Sequence, residues 1–454
     1  MNERADAAAE IDQNGIFPLR PRQRDMSLHQ VGALFAGDVA DLGLEIERRA
    51  VPVRLLHLQF APRQSEIGDD NLLTIPDSRQ ETMKLSGIRV LDLSQYLPGP
   101  HLTMTMADHG ADVIIIEPAN GTGEPTRMMG TRAKDGTSVW FRNIARGKRA
   151  VALDLKDAAQ KDRFLKLADD ADVIVEAFRP GVAKRLGIDY DTIAVRNPRI
   201  VYCSISAFGQ DGPLKDKPAH DLAVQALVGT ADLSRGNDDK PAMPNLVAAD
   251  MASSLTALSA ILMALLAREK SGKGDFIDIA MFDSLIAWTP NITGSVFGED
   301  RAPVPREMRN YGGQAMNRLY ETKGGGHIAL AGNETKFCEN FFGALGRPDL
   351  AKLAAGEPGP MQAPLIAFLT ETFATKTRAE WEAFLAPIDL CWAPLHNLKD
   401  GFDDPNTKAR GMVLTDASGN RHIGPAVKFR EEPAHPDFSL PDYAPSATLH
   451  WRPR

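Results

Sequence analysis

From residue 83 onward, the sequence alternates between short runs of Val, Ile and Leu and longer segments with helical periodicity. The apolar runs are IRVLDLS, ADVIIIEP, RAVALDL, DVIVEAF and NPRIVYCSISAFG. Strands that are apolar on both faces belong to parallel sheets covered by helices on both sides, because parallel connections require crossover segments. The alternation therefore predicts an α/β fold with a parallel sheet as its centre.

The same pattern divides the chain into four segments. Residues 1–82 are rich in Arg, Gln and Asp and lack this alternation, so we expect a poorly ordered N-terminal extension. Residues 83–285 form the large domain, which contains a long helix ending near SGKG. Residues 286–395 comprise a linker rich in Pro, Gly and Asn and a smaller α/β domain that begins with a hairpin, and residues 396–454 form a tail with little core.

Charge and composition narrow the classes of function. A net charge of −8 over 454 residues gives no reason to expect a nucleic-acid partner. The three cysteines, Cys203, Cys338 and Cys391, are spaced neither as a disulfide framework nor as a metal site. The N-terminus carries acids without an apolar stretch, and the longest apolar run, residues 255–267, is too short for a membrane span. We expect a cytoplasmic protein with no metal, membrane or nucleic-acid partner.

Asp250 stands where a strand-like apolar run, NLVAA, meets the long helix. One interpretation is an N-cap, because an aspartate there accepts hydrogen bonds from unpaired backbone N–H groups. The other is chemical: a carboxylate in the positive field of a helix N-terminus can serve as a nucleophile or a base.

Three further acid–base side chains have two interpretations each. His220 follows a proline-bounded turn, where histidines are commonly solvated, and Asp221 is a natural N-cap for the helix LAVQALVG. Their spacing of 30 and 29 residues from Asp250 permits a meeting at one edge of the sheet. Glu334 lies between a strand and a helix, so it is either a capping residue or a further carboxylate of the cleft.

Basic side chains recur at predicted turns and are either solvated or available to a polyanionic ligand. They are Arg146, Lys148, Arg149, Arg179, Lys184 and Arg185. The sequence contains no GxGxxG after a strand and no Walker, GxSxG, HxxxH or CxxC motif. The GGGH segment at 324–327 lies in a predicted hairpin turn and is only weak evidence for a phosphate-binding loop. These motifs therefore indicate no nucleotide or metal site.

Six stretches together resemble the family III CoA-transferases, a family that also contains the α-methylacyl-CoA racemases. They are GIRVLDLSQYLPGPHLTMTMADHGADVIIIEP, ARGKRAVALDLK, ADVIVEAFRPGVAKRLGI, NPRIVYCSISAFGQDGPL, KPAHDLAVQALVG and LVAADMASSLTALSAILMALLAREKSGKG. The resemblance implies a Rossmann-like large domain completed by the C-terminal segment, a smaller domain, and two chains interlocked as a homodimer.

The resemblance also implies two chemistries for Asp250. As a transferase nucleophile, it attacks an acyl-CoA and carries CoA, through a mixed anhydride and an aspartyl-CoA thioester, to a carboxylic acid. As a racemase base, it exchanges an α-proton of a 2-methylacyl-CoA with His220, supported by Asp221 and Glu334. CoA is then a substrate, with no permanently bound cofactor. The residues that the resemblance assigns to CoA binding are Leu97, Pro98, Arg146, Lys148, Ala177, Phe178, Arg179 and Arg185.

Two positions depart from the family pattern. Pro118 occupies the place of an arginine that contacts adenine in several members, and the glycine-rich loop of the transferases is reduced to YGGQ at 311–314. We expect CoA transfer, with 2-methylacyl-CoA racemisation as the alternative and a non-catalytic CoA-binding protein as a third hypothesis.

Overall fold

A computed structural model describes residues 83–236, 238–445 and 449–454. The expected N-terminal extension, residues 1–82, lies outside the described residues.

The first part of the described chain alternates strands and helices. Its elements are β1 (Arg89–Leu93), α1 (Pro98–Asp108), β2 (Asp112–Pro118), α2 (Val139–Ala145), β3 (Arg149–Leu153), α3 (Ala158–Asp169), β4 (Val173–Glu176), α4 (Val182–Leu186), α5 (Tyr190–Arg196), β5 (Val201–Ser206), α6 (Asp221–Val228), α7 (Thr230–Leu233), α8 (Ala248–Ser271), β6 (Asp275–Ala280) and α9 (Met281–Ile286).

The six strands form one sheet in the order β3-β2-β1-β4-β5-β6. Every neighbouring pair is parallel, so the predicted α/β fold with a parallel sheet is confirmed. The order reverses between β1 and β4. In open parallel sheets, a crevice forms beyond the carboxyl ends of the strands at such a reversal, and ligands bind there.

Both faces of the sheet are covered, which explains why its strands are apolar throughout. Leu91 lies in one core with Phe164 of α3. Val90, which points to the opposite face, lies in a second core with Ile261 of α8. Helix α8 therefore packs along one face of the sheet.

Helix α8 is long and apolar enough to cross a membrane by length and composition alone. One of its faces is nevertheless packed against the sheet, where Ala257, Ile261 and Leu265 are buried. Near its C-terminal end, the buried Arg268 forms an ion pair with Asp172 at 3.0 Å. These contacts are those of a helix that belongs to the core of a domain.

The second part of the described chain contains smaller sheets. Its elements are α10 (Gly294–Glu299), β7 (Asn317–Glu321), β8 (His327–Ala331), α11 (Thr335–Ala344), α12 (Ala351–Ala354), α13 (Ala363–Phe373), α14 (Arg378–Leu385), β9 (Trp392–Pro394), α15 (Leu398–Asp403), α16 (Pro405–Ala409), β10 (Val413–Thr415) and β11 (Arg421–Ile423). Strands β7, β8 and β9 form an antiparallel sheet, and β10 pairs with β11. Stacked rings of Tyr320, Phe341 and Phe373 lie in the core beside the three-stranded sheet.

Residues near the C-terminus contact the six-stranded sheet and its helices. The Trp451 indole donates to the Leu167 carbonyl at 3.0 Å, and the Ala152 amide donates to the Ala444 carbonyl at 3.2 Å. The domain boundaries inferred from the sequence stay predictions.

Candidate functional site

A cleft of about 370 Å³ lies at the reversal of strand order, beyond the carboxyl ends of β1, β4 and β5. Its lining residues are Gln95, Tyr96, Pro98, Ala177, Phe178, Arg179, Pro180, Ile205, Ser206, Ala207, Lys215, Lys217, Pro218, Ala219, His220, Asp250 and Met281. This is where the strand order predicts a ligand site. Of the acid–base residues considered from the sequence, the cleft is lined by His220 and Asp250.

Asp250 lies in the first turn of α8, which begins two residues earlier, at Ala248. The run before it is not a strand, and the N-cap position belongs to Val247, so the capping interpretation of Asp250 is wrong. The four-residue apolar run was too short for its periodicity to distinguish a strand from the start of a helix. Asp250 is partly buried and lines the cleft.

Asp221 is buried and caps α8 rather than its own helix, α6. Its Oδ1 accepts hydrogen bonds from the backbone N–H groups of Ala249 at 2.7 Å and Asp250 at 3.2 Å, and its Oδ2 accepts from Gln225 Nε2 at 2.6 Å. The expectation that Asp221 caps α6 is wrong, because His220 occupies that position. Asp221 thus fixes the first turn of α8, on which Asp250 is carried.

Burial and the neighbouring Asp221 carboxylate together raise the pKa of Asp250 to about 7. The Asp250 carboxylate receives no stabilising hydrogen bond from the described residues. At neutral pH, this carboxyl group therefore exists in both protonated and ionised forms. An acid with that pKa is suited to give and take a proton, and its ionised form is more basic than an ordinary aspartate.

His220 is exposed at the mouth of the cleft, at the N-terminal end of α6. The ring of Tyr96 lies edge-on to its imidazole, with 5.9 Å between ring centroids and an angle of 80°. The sequence reasoning did not identify Tyr96. Its only signal was its place in QYLPGP, directly after the first strand, where side chains reach the edge of the sheet.

The cleft also contains two lysines that sequence reasoning missed, Lys215 and Lys217. They belong to the loop between β5 and α6, immediately before His220. Together with Arg179 they bring positive charge to a cleft that also holds Asp250. Such a set of cations favours an anionic ligand.

The eight residues assigned to CoA binding divide into three groups. Pro98, Ala177, Phe178 and Arg179 line the cleft. Leu97 precedes α1 and Arg185 is exposed on α4, and neither belongs to the lining.

Arg146 and Lys148 are buried, which corrects their assignment to CoA. Arg146 makes a bidentate ion pair with Asp108 at 2.9 and 2.6 Å, and Lys148 donates to Asp92 at 3.1 Å and to the Pro100 carbonyl at 2.8 Å. Burial lowers the pKa of Lys148. Both cations have internal partners and lie away from the cleft lining, so their role is structural.

Glu334 lies at the N-terminal end of α11, but its side chain makes no capping hydrogen bond there. It does not line the cleft of the described chain. The two departures from the family pattern are Pro118 and the YGGQ segment. Pro118 is the last residue of β2. In YGGQ, the Gln314 side chain is buried and donates to the carbonyls of Ala354 and Gly356.

Comparisons with known proteins identify the family of the chain. Residues 85–444 match the model of the family described as CoA-transferase family III. The chain is 32% identical to an acyl-CoA transferase of Fusarium pseudograminearum, over 76% of this chain and 79% of the relative. It is 30% identical to the mouse succinyl-CoA:glutarate CoA-transferase (78% of this chain, 83% of the relative) and 32% identical to the Acetobacter aceti acetyl-CoA:oxalate CoA-transferase (72% and 85%).

A solved structure gives the same result for the fold. The crystal structure of a CAIB/BAIF family protein from Brucella suis superposes with a TM-score of 0.70 at 29% identity. The match covers 80% of this chain and 97% of that protein. With the family match over most of its length, the chain belongs to CoA-transferase family III and is an enzyme that acts as a CoA-transferase.

Proposed function

We propose that this enzyme moves CoA from an acyl-CoA donor to a carboxylic acid through a covalent intermediate on Asp250. The observation that carries the proposal is the position of this carboxylate, which lines the cleft from the first turn of α8 without a hydrogen bond of its own. A carboxylate that is neither capped nor paired with a cation keeps its oxygens available for attack.

The proposed reaction has four steps. The Asp250 carboxylate attacks the thioester carbonyl, and CoA leaves as a thiolate to give a mixed anhydride. The thiolate attacks the aspartyl carbonyl, and the donor acid leaves, which gives an aspartyl-CoA thioester. The acceptor carboxylate then attacks this thioester and releases the thiolate again. Attack of the thiolate on the acceptor carbonyl yields the new acyl-CoA and regenerates Asp250.

The surroundings of Asp250 support these steps. The N-terminal end of α8 places the positive end of a helix dipole at the carbonyl where negative charge develops. Arg179, Lys215 and Lys217 supply positive charge for the phosphates of CoA and for an acceptor carboxylate. Two of the relatives are named for dicarboxylates, glutarate and oxalate, so these acids are the first acceptors to test.

The intermediate is tested by mass spectrometry. Wild-type enzyme mixed with a panel of acyl-CoA donors is quenched with hydroxylamine or borohydride, and we expect the modification on the peptide that contains Asp250. The Asp250→Asn variant should carry none. Glu269→Gln, at the exposed far end of the same helix, is the matched control and should be modified like the wild type. Transfer activity without any modification of Asp250 would refute the covalent route.

The racemase alternative rests on the fact that His220 and Asp250 both line the cleft. It predicts exchange of the α-proton of a 2-methylacyl-CoA in deuterated water, together with interconversion of its two C2 epimers, which His220→Ala should abolish. Running the transfer assay in deuterated water distinguishes the two chemistries in one experiment. Interconversion of the epimers that survives His220→Ala would exclude the paired-base mechanism.

We further propose that the active form is a homodimer. Along α8, four apolar side chains remain 40–69% exposed, and they are Leu255, Leu262, Met263 and Leu266. The segment that follows α9 adds Trp288 at 49% and Phe297 at 85% exposure. Apolar surface on this scale marks an interface, and a second copy fits the interlocked arrangement that the resemblance implies. Light scattering during size exclusion tests this, and a monomeric mass in the active fraction would refute it.

A further inference from the structure

We propose that Glu124 is a positioning residue that acts through Tyr96 to fix the imidazole of His220 at the mouth of the cleft. The inference rests on the proposed function, because it concerns the same cleft. It assigns a role to a buried acid that lines no part of that cleft.

Tyr96 has an unusual backbone conformation. Its φ angle is +67°, which places a bulky aromatic residue in the left-handed region that favours glycine. Such a conformation persists only where the surrounding structure enforces it, and it concentrates at functional sites. The strain therefore requires a partner that holds the loop after β1 in place.

Glu124 is that partner. It is buried, and its Oε1 accepts the backbone N–H of Tyr96 at 2.9 Å. Its other oxygen, Oε2, accepts the backbone N–H of Thr126 at 2.8 Å and the Thr126 hydroxyl. On the near side of the loop, Asp92 accepts the backbone N–H of Ser94 at 3.0 Å. Two buried carboxylates thus hold the loop, one at Ser94 and one at the amide of the strained residue itself.

The two carboxylate oxygens of Glu124 have different hydrogen-bond partners, and this difference distinguishes a positioning role from a capping role. Oε2 caps the short 3-10 turn at Pro125–Met128, which is a structural task. Oε1 is directed to a different segment, 28 residues earlier in the chain. A residue needed only as a cap has no reason to hold the amide of the one strained residue in the cleft.

The strained backbone in turn directs the Tyr96 side chain. Its ring meets the His220 imidazole edge-on at 5.9 Å, and His220 is otherwise exposed. If the Glu124 hydrogen bond is lost, Tyr96 is free to leave the left-handed region, and its ring leaves the imidazole. Glu124 therefore orders His220 without touching it.

A double-mutant cycle read by NMR tests this coupling. In enzyme labelled with ¹³C-histidine, the edge-on ring of Tyr96 shifts the His220 ring signals, which are assigned with His220→Asn. Tyr96→Leu removes the ring and defines the signal position of an unrestrained His220. We expect Glu124→Ala to move the signals in the same direction as Tyr96→Leu does. In the Tyr96→Leu background, Glu124→Ala should move them no further.

Controls keep the result specific. Asp172→Asn removes the charge of a comparably buried acid, which pairs with Arg268 at 3.0 Å, and should leave the His220 signals in place. If Glu124→Ala does not fold, Glu124→Leu serves, because it fills more of the buried space and has no oxygen to accept from Tyr96 or Thr126. Unmoved His220 signals in a folded Glu124 variant, or additive effects in the double variant, would overturn the inference. Absence of the Asp250 adduct in the wild type would instead refute the covalent mechanism.

Discussion

Replacing Asp250 by asparagine should stabilise the protein at alkaline pH while abolishing transfer. The side chain is partly buried beside the Asp221 carboxylate, and these two causes raise the pKa of Asp250 from 3.8 to about 7. In the unfolded chain this aspartate ionises near its ordinary pKa. The folded state therefore binds its proton more tightly, and its stability falls as the pH rises from about 4 to 7. Asparagine does not ionise, so the free energy of unfolding of the Asp250→Asn variant does not fall in this way as the pH rises.

The size of the effect follows from the two pKa values. Each tenfold change in proton affinity corresponds to about 1.4 kcal/mol, so the full penalty on ionised Asp250 is at most about 4 kcal/mol. Part of it has already accumulated at pH 5. Between pH 5 and pH 8, the advantage of Asp250→Asn over the wild type should grow by up to about 3 kcal/mol. For a chain of this size, this corresponds to about 4 °C in Tm.

Thermal denaturation of both proteins from pH 5 to pH 8 measures this difference directly. Most other titrating groups contribute equally to both proteins and largely cancel in the comparison. Glu269→Gln, whose side chain is 68% exposed at the far end of α8, should show a Tm difference from the wild type that is independent of pH. A Tm difference between Asp250→Asn and wild type that stays constant from pH 5 to pH 8 would refute the reasoning, because it would mean that Asp250 ionises normally in the folded protein.

Substitutions at three further positions test other contacts near Asp250 and the proposed CoA-binding residues. Asp221→Asn removes a negative charge beside Asp250 and should shift the acidic limb of the kcat/KM profile to lower pH, and an unshifted limb would contradict the electrostatic coupling. Asp221→Ala also removes the cap of α8 and should lower the free energy of unfolding by about 1–2 kcal/mol. Arg146→Ala breaks the buried ion pair with Asp108 and should lower the free energy of unfolding by about 3–5 kcal/mol without changing KM for acyl-CoA. A raised KM at an unchanged Tm would instead support a role for Arg146 in CoA binding. Arg179→Ala removes an exposed cation of the cleft and should raise KM for acyl-CoA about tenfold at constant Tm, so an unchanged KM argues against phosphate contact.

The sheet was predictable because its evidence in the sequence is local. Each central strand is buried on both faces, so a run of three or four apolar residues, as in β4 and β2, suffices to recognise it. The edge strand β6 is more exposed, yet it follows the long helix as the alternation requires. The order of the strands, and therefore the position of the cleft, follows from crossovers that no short pattern encodes.

The site was less predictable because its contacts join distant segments. Arg146 and Lys148 have the sequence context of solvated turn residues, and only their partners, 38 and 56 residues away, reveal that they are buried. Tyr96 carries no signature of a positive φ, because the usual glycine is absent there. Burial and strain of this kind are set by tertiary contacts, so they become visible only in the folded structure.

Asp221 and Asp250 lie at the same end of α8, yet the hydrogen bonds that Asp221 accepts give the two acids different roles. A helix N-terminus offers backbone N–H groups to whichever carboxylate reaches them, and Asp221 reaches those of Ala249 and Asp250 from another helix. Had Asp250 been the cap, as its sequence position suggested, those hydrogen bonds would have stabilised its anion and reduced its basicity and nucleophilicity. Because Asp221 takes the donors, Asp250 remains at the helix dipole with its oxygens free and its pKa raised to about 7. The reactivity proposed for Asp250 is therefore a consequence of the cap supplied by its neighbour.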